Sequence, residues 1–266
     1  MTYISLSWTD LAVGSILLVL AGGLSILLKL GIARSMAIAA VRMVVQLSLV
    51  GLVLKTLFET VSPWLTAAVA IVMLGFAGRE VVARQTRKFS GFWTYGIGGS
   101  AMLIAGTLVT VLALTTQLQP DPWYHPRWAI PLLGMMLGNA MTAVSISLDR
   151  FLSSAVRERV AIEAQLALGA SRTVAFRPII RAAMRAALIG IINAMAACGL
   201  VSIPGMMTGQ ILAGAAPGEA AKYQILIMVL LAGTNALGAL IAVYGAAARL
   251  SDDRHRVRLD RLSASA

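Results

Sequence analysis

YQILIMVLLAGTNALGALIAVYGAAA, residues 223–248, runs for 26 positions without a charged side chain. A helix needs about 20 mainly apolar residues to cross the hydrocarbon core of a bilayer, so this stretch predicts a membrane span. Of all 266 residues, 59% are hydrophobic and 12% are charged, whereas about a quarter of the residues in a soluble domain are charged. The composition excludes a cytosolic enzyme, a disordered chain and a nucleic-acid-binding protein.

Six stretches upstream meet the same criterion. They are residues 11–28, 35–58, 63–78, 92–114, 128–148 and 186–203. The sequence therefore predicts an all-α, polytopic membrane helix bundle with about seven transmembrane helices. The lipid bilayer is the first partner that this architecture requires.

The basic residues are distributed unevenly between these spans. If the N-terminus lies outside, the cytoplasmic segments hold 18 of the 22 Lys and Arg residues, including seven arginines from Arg150 to Arg185. Such an excess is typical of cytoplasmic loops. The distribution predicts an N-out, C-in protein of the cytoplasmic (inner) membrane. It also predicts a cytoplasmic segment at 149–185 and a cytoplasmic C-terminal tail at 249–266.

The cytoplasmic segment has the pattern of a helix-turn-helix. Neither Pro nor Gly occurs from Leu148 to Leu168, so the fifth span is expected to continue as a helix until Gly169 stops it. Ser171 can cap the helix that follows. A turn of this kind can dock a soluble partner, and an ordinary loop between spans is the alternative that the pattern leaves open.

Residues 163–171, EAQLALGAS, resemble the "EAA" coupling loop of ABC-transporter permeases. Three further stretches are VRMVVQL at 41–47, PLLGMMLGNAMTAVSISLDR at 131–150 and GLVSIPGMMTGQIL at 199–212. With them, the chain resembles the FetB family of iron-export permeases, which is related to plant aluminium-tolerance membrane proteins. The resemblance extends from about Arg34 to Arg258.

This resemblance implies a single transmembrane permease domain over residues 1–266 that acts as a homodimer and exports a metal ion, iron above all. The sequence has no G-x-x-x-x-G-K-[ST] phosphate loop, so ATP and Mg²⁺ are expected on a separate ABC ATPase subunit. The chain itself is expected to bind no cofactor and to have no catalytic residues. The resemblance assigns coupling to the ATPase to Glu163, Ala164, Gly169, Ala170 and Ser171.

Polar and helix-breaking residues within apolar spans indicate a transport pathway or gate. Arg42 and Gln46, one helical turn apart, could contact an anionic group, polar backbone or a neighbouring subunit. Alternatively, Arg42 extends to the lipid headgroups. Pro204 interrupts the sixth span, and the backbone there either forms a gate or is a re-entrant turn that only caps the fold. The gate candidates are Ser202, Pro204, Gly205, Met206, Met207, Thr208 and Gln210.

Two further patterns concern helix faces. Gly134 and Gly138 form a G-x-x-x-G motif that predicts close packing, either within the chain or between subunits. Asn139 follows this motif and is also a pathway candidate.

The helix expected after Ser171 contains three arginines spaced by four, Arg177, Arg181 and Arg185. This spacing places like charges on one face of the helix, which favours anionic partners. These partners are lipid headgroups or acidic residues of the ATPase.

The sequence leaves the metal-binding residues unknown. It has one cysteine and two histidines, and no predicted span contains a carboxylate. The 13 methionines are typical gap fillers of apolar helices.

The sequence leaves two alternative functions open. One alternative function is an ABC permease for a nucleotide sugar or other organic anion. Another is an ATP-independent carrier or scaffold, although proton and sodium carriers usually have an acidic residue within a span.

Overall fold

The computed structural model describes residues 7–252 and 256–263, so residues 253–255 and 264–266 of the predicted C-terminal tail lie outside it. Throughout the described ranges the regular elements are helices. Seven of them are long and apolar enough to cross a membrane. The prediction of an all-α, multi-pass membrane bundle is therefore confirmed. The N-out, C-in orientation stays a prediction.

The contacts divide the chain into two compact units, Met1–Thr60 and Val61–Ala266. The first unit contains α1 (Trp8–Leu27) and α2 (Ala33–Thr60), which pack against each other. A capping box begins α1: the Ser7 N–H donates to Asp10 Oδ2 at 2.8 Å, and the Asp10 N–H donates to Ser7 Oγ at 3.2 Å.

The second unit is built around one long helix. Its elements are α3 (Pro63–Ala83), α4 (Trp93–Leu112), α5 (Pro126–Arg157), α6 (Arg159–Ala167), α7 (Arg172–Ala197), α8 (Gly205–Leu212) and α9 (Pro217–Leu250). A π-helical segment, Ala113–Leu118, extends α4. Helix α5 packs against α3, α4, α7 and α9, so it forms the centre of this unit.

Two helix boundaries differ from the sequence-based expectation. The sixth span was expected at 186–203, but the helix that begins after Ser171, as expected, continues unbroken into this span and ends at Ala197. Its first half contains several arginines, which lower the hydropathy without preventing a helix. The fifth span was expected to continue to Leu168, but Glu158 leaves helical geometry, with φ −100° and ψ 18°, between α5 and α6.

Contacts at two positions along α5 fix it against its neighbours. The rings of Phe151 in α5 and Phe176 in α7 lie 5.9 Å apart, and both side chains are almost fully buried. Elsewhere, α9 approaches α5 and α4 closely at Gly238, where an added Cβ would lie 3.0 Å from Val144 Cγ2 and 3.6 Å from Ala105 Cβ. A side chain at this position would separate three helices.

We expect Gly238→Leu to destabilise the second unit by about 1–3 kcal/mol, the usual cost of overpacking. Gly233→Leu is the matched control, because Gly233 lies on the same helix and an added Cβ there has no neighbour within 4 Å. Both substitutions gain the same helix propensity, so their difference isolates the steric term. Thermal unfolding in detergent measures it. Equal midpoints for the two variants would contradict the close approach at Gly238.

The described part of the C-terminal segment packs against the loop between α3 and α4. The Ser90 N–H donates to Arg261 O at 2.8 Å, and the Ser263 N–H donates to Lys88 O at 2.8 Å. The side chain of Arg261 also donates to Arg249 O at 2.7 Å. These bonds fix residues 261–263 beside the start of α4.

Candidate functional site

The corner between α6 and α7 depends on a specific backbone conformation. The Gly169 N–H donates to Leu166 O at 3.0 Å and the Ala170 N–H donates to Gln165 O at 3.0 Å, which is a Schellman motif. Gly169 has φ +88°, a conformation that costs an L-residue about 1–2 kcal/mol. The direction in which the chain leaves α6 therefore depends on glycine at this position.

Helix α6 has one anchored face and one exposed face. Ile162 is buried, and Leu166 packs against the main core of the unit. On the other face, Val160 and Leu168 are 80% and 88% exposed, and Ala164 lies between them at the spacing of one turn. We call Val160, Ala164 and Leu168 the apolar knob. Exposed apolar side chains grouped in this way indicate a surface that contacts another protein or the membrane.

The other predicted coupling residues lie in the same corner. Glu163 Oε1 accepts a hydrogen bond from Arg159 Nε at 2.7 Å. Ser171 occupies the N-cap position of α7 but makes no capping hydrogen bond with its side chain, and its Oγ lies 3.0 Å from Thr173 Oγ1. The structure thus brings the five residues together, while their role in coupling stays a prediction.

A cavity of about 1190 Å³ lies between α5 and α7, beside the end of α3. We call it the arginine cavity. Its wall includes the charged residues Arg84, Asp149, Arg150, Arg181 and Arg185. The remaining wall residues are Thr142, Ser145, Ile146, Ser153, Pro178, Ala182, Ala186 and Ile189. The cavity therefore extends beyond its charged rim by about two turns of α5 and about one turn of α7.

Positive charge dominates the arginine cavity. Four of its wall residues are arginines, and its one acidic wall residue, Asp149, accepts hydrogen bonds from the backbone N–H and the hydroxyl of Thr86. The bond from Thr86 N is 2.9 Å long. Asp149 thus fixes the loop after α3 to α5, and part of its accepting capacity is already used. The arrangement suits an anion.

Polar groups behind this wall are incompletely paired. Gln85 Nε2 donates to Ser145 O at 3.2 Å and so links α3 to α5. The hydroxyl of Ser145 and the side-chain oxygen of Gln85 are buried and have no hydrogen-bond partner among the described residues. An unpaired buried group costs about 1–3 kcal/mol. A polar ligand or a change of rotamer at the wall would remove this cost.

The predicted gate residues lie elsewhere in the second unit. After α7 the backbone turns at Gly199, with φ +85°, and the Gly199 N–H donates to Ser202 O at 2.9 Å. Beyond Pro204 the chain forms a short helix, α8, which packs against α9. This helix contains Gly205, Met206, Met207, Thr208 and Gln210. None of these residues is in the wall of the arginine cavity.

The G-x-x-x-G motif of α5 has two different environments. A Cβ on Gly134 would lie 3.3 Å from Met73 Cε of α3, whereas Gly138 has open space beside it. Asn139 is exposed, and its Nδ2 donates to Met135 O at 3.1 Å. One glycine thus contacts a neighbouring helix of the same chain, and the other does not.

Arg42 and Gln46 lie in α2, within the first unit. Their spacing of four places them on one face of that helix, as the sequence predicts. Among residues 7–252 and 256–263, no group of three His, Cys, Asp or Glu side chains could hold a metal ion. The metal-binding residues therefore stay unassigned.

Comparison with known sequences identifies the family. The model of "Uncharacterised protein family (UPF0014)" matches residues 8–250, nearly the whole chain. The chain belongs to the UPF0014 family. The resemblance to FetB-type permeases that the sequence predicts is confirmed, because a FetB protein is among the relatives of this UPF0014 chain. No solved structure matches it.

Three relatives indicate the range of UPF0014 proteins similar to the chain. "UPF0014 membrane protein slr1647" of Synechocystis is 36% identical over 244 residues, covering 89% of this chain and 91% of the relative. "Probable iron export permease protein FetB" of Escherichia coli is 32% identical over 253 residues, covering 95% of each. "UPF0014 membrane protein STAR2" of rice is 32% identical over 245 residues, covering 89% and 84%. These names describe membrane or permease proteins.

The arginine cavity was only partly foreseen. The spacing of Arg181 and Arg185 predicted an anionic partner, and these two arginines do line the cavity. Arg84 and Arg150 were counted only as basic residues of the loops, because they lie far from α7 in sequence. Only the packing of α3, α5 and α7 brings the four together.

Proposed function

We propose that this chain is the permease subunit of an ABC transporter that exports a metal ion, iron above all, from the cytoplasm. The observation that carries the proposal is the 32% identity, over 95% of the chain, to a relative named a probable iron export permease. Two permease chains would pair with two ATPase subunits, which bind ATP and Mg²⁺. The membrane would be the inner membrane, with the α6–α7 corner in the cytoplasm.

The α6–α7 corner supports a role in coupling. Its apolar knob is exposed, while its inner face is anchored to the core, so a force applied to the knob would reach the membrane helices. Helices α5 and α7 are joined through this corner and pack together at Phe151 and Phe176. Closure of the ATPase subunits would therefore move the two helices as a pair and open the pathway outward.

Exposed polar residues on the membrane helices support a homodimer. Asn139 on α5 and Asn193 on α7 are exposed. Amide groups are poorly accommodated by lipid tails but can hydrogen-bond across a helix–helix contact. A second copy of the chain would cover them and complete a pathway between the two subunits.

The proposal is tested by cell-associated iron after an iron load. A deletion strain is expected to retain more iron than the wild type, and the restored chain is expected to reverse this only when its ATPase partner can hydrolyse ATP. The purified assembly is expected to contain two permease and two ATPase chains. If iron is unchanged while the ATPase still co-purifies, the substrate is wrong. If iron export continues without ATP hydrolysis, the ABC mechanism is wrong.

A further inference from the structure

The arginine cavity is much larger than a metal ion requires. Its volume, about 1190 Å³, exceeds the range of about 300–1,000 Å³ that is usual for small-ligand sites, and it is open to its surroundings rather than enclosed. Helices α5 and α7 form two of its sides, and the end of α3 forms a third. The space between them fits a ligand with several functional groups.

The guanidinium groups of this cavity are poorly neutralised. Among the described residues, no carboxylate lies within salt-bridge distance of Arg150, Arg181 or Arg185. Arg181 and Arg185 are one turn apart on α7, an arrangement that is unfavourable unless an anion lies between them. The wall thus contains positive charge that its own residues do not balance.

These arginines are unsuited to bind a bare metal cation. Guanidinium groups have five donors and no acceptor, so they cannot ligate a metal, and their charge repels it. The same groups bind carboxylate and phosphate oxygens through paired, charge-assisted hydrogen bonds. The hydroxyls of Thr142 and Ser153 add further polar groups to the wall.

We propose that the arginine cavity binds a small soluble anion bearing several carboxylate or phosphate groups, and that the metal cargo enters the permease as an anionic chelate of such a ligand. That the ligand is transported, rather than only bound, rests on the proposed function. The anion would supply the metal ligands that the chain lacks, while the arginines would recognise the oxygens left on the outside of the chelate. The selectivity of the cavity would then depend on the shape and charge of the chelate.

A lipid headgroup could supply the same phosphate chemistry, so the test must separate the two sources. The full-length chain would be placed in nanodiscs of neutral phosphatidylcholine, and binding of radiolabelled citrate would be measured with and without Fe³⁺. The double variant Arg181→Gln/Arg185→Gln is expected to bind about 100-fold more weakly, because two charged hydrogen-bonding groups are lost. Arg177→Gln is the matched control, since it removes one charge from the same helix outside the cavity wall.

A second variant guards against misfolding. Arg181→Lys/Arg185→Lys keeps both charges but loses the paired hydrogen-bond geometry, so we expect it to bind citrate with intermediate affinity. Equal citrate affinity in the wild type and the Gln double variant would overturn the proposal. Displacement of citrate when phosphatidylglycerol is added to the nanodiscs would also overturn it, because the ligand would then be lipid. Preference for ferric citrate supports a chelate, and equal binding of free citrate supports the anion as the recognised group.

Export assays keep this inference separate from the proposed function. Loss of citrate binding without any change in ATP-dependent iron export would refute the cavity's role and leave the ABC permease assignment standing. Intact citrate binding with export that needs no ATP would refute the assignment and leave the anion site standing.

Discussion

Leu168→Glu is expected to abolish ATP-coupled iron export while leaving the membrane bundle folded. Leu168 is 88% exposed on the apolar knob, so a charge there costs little in the isolated chain. In a complex the same charge would be buried against the ATPase subunit without a partner, and burial of an unpaired charge is strongly unfavourable. Loss of a residue that acts as a hot spot costs about 2 kcal/mol, so we expect the ATPase to bind about 30-fold more weakly.

Co-purification of the ATPase and cell-associated iron provide the two readouts. Leu200→Glu is the matched control, because Leu200 is 91% exposed and lies in the turn between α7 and α8, at the opposite end of α7. Its replacement should leave ATPase binding unchanged. If Leu168→Glu retains the ATPase and exports iron normally, the apolar knob is not the coupling surface.

The membrane spans could be predicted because a single physical requirement determines them. A stretch such as 223–248 is uniformly apolar, and the bilayer requires about that length. The ends of the helices were harder to predict. Helix α7 begins after Ser171 and carries Arg177, Arg181 and Arg185, as the sequence predicts, but it ends at Ala197 rather than at residue 203. The interruption at Glu158 was also missed, because neither Gly nor Pro marks it.

The two candidate sites differ in how far their residues are separated along the chain, and this decided which of them could be predicted. The α6–α7 corner is local in sequence, and a single glycine followed by a potential cap was enough to locate its turn. The arginine cavity depends on residues from Arg84 to Arg185, and one sequence does not indicate which loops meet. The pairing of Thr86 with Asp149 similarly joins segments that are far apart in the chain. Sites built from several helices therefore required the structure.

Deleting Gly169 and Ala170 is expected to abolish export, because the Schellman motif that ends α6 uses the N–H groups of these two residues. Without them, α6 cannot turn into α7 while its inner face stays on the core. The knob would then be displaced from the position in which an ATPase subunit could contact it. Export and ATPase co-purification are again the readouts. The deletion is expected to abolish export even if some ATPase remains bound.

Gly169→Ala keeps the length of this turn and changes only the backbone conformation that residue 169 prefers. An added Cβ meets no atom within 4 Å at Gly169, so the cost arises from the backbone conformation alone. A cost of about 1–2 kcal/mol lowers the population of the turn by about 5–30-fold, and export should fall in proportion wherever the turn is only marginally stable. Gly233→Ala, at an equally open helical position, should leave export unchanged. Equal export by the two alanine variants, with none from the deletion, would mean that the turn tolerates the strain and that the length of the connection determines coupling.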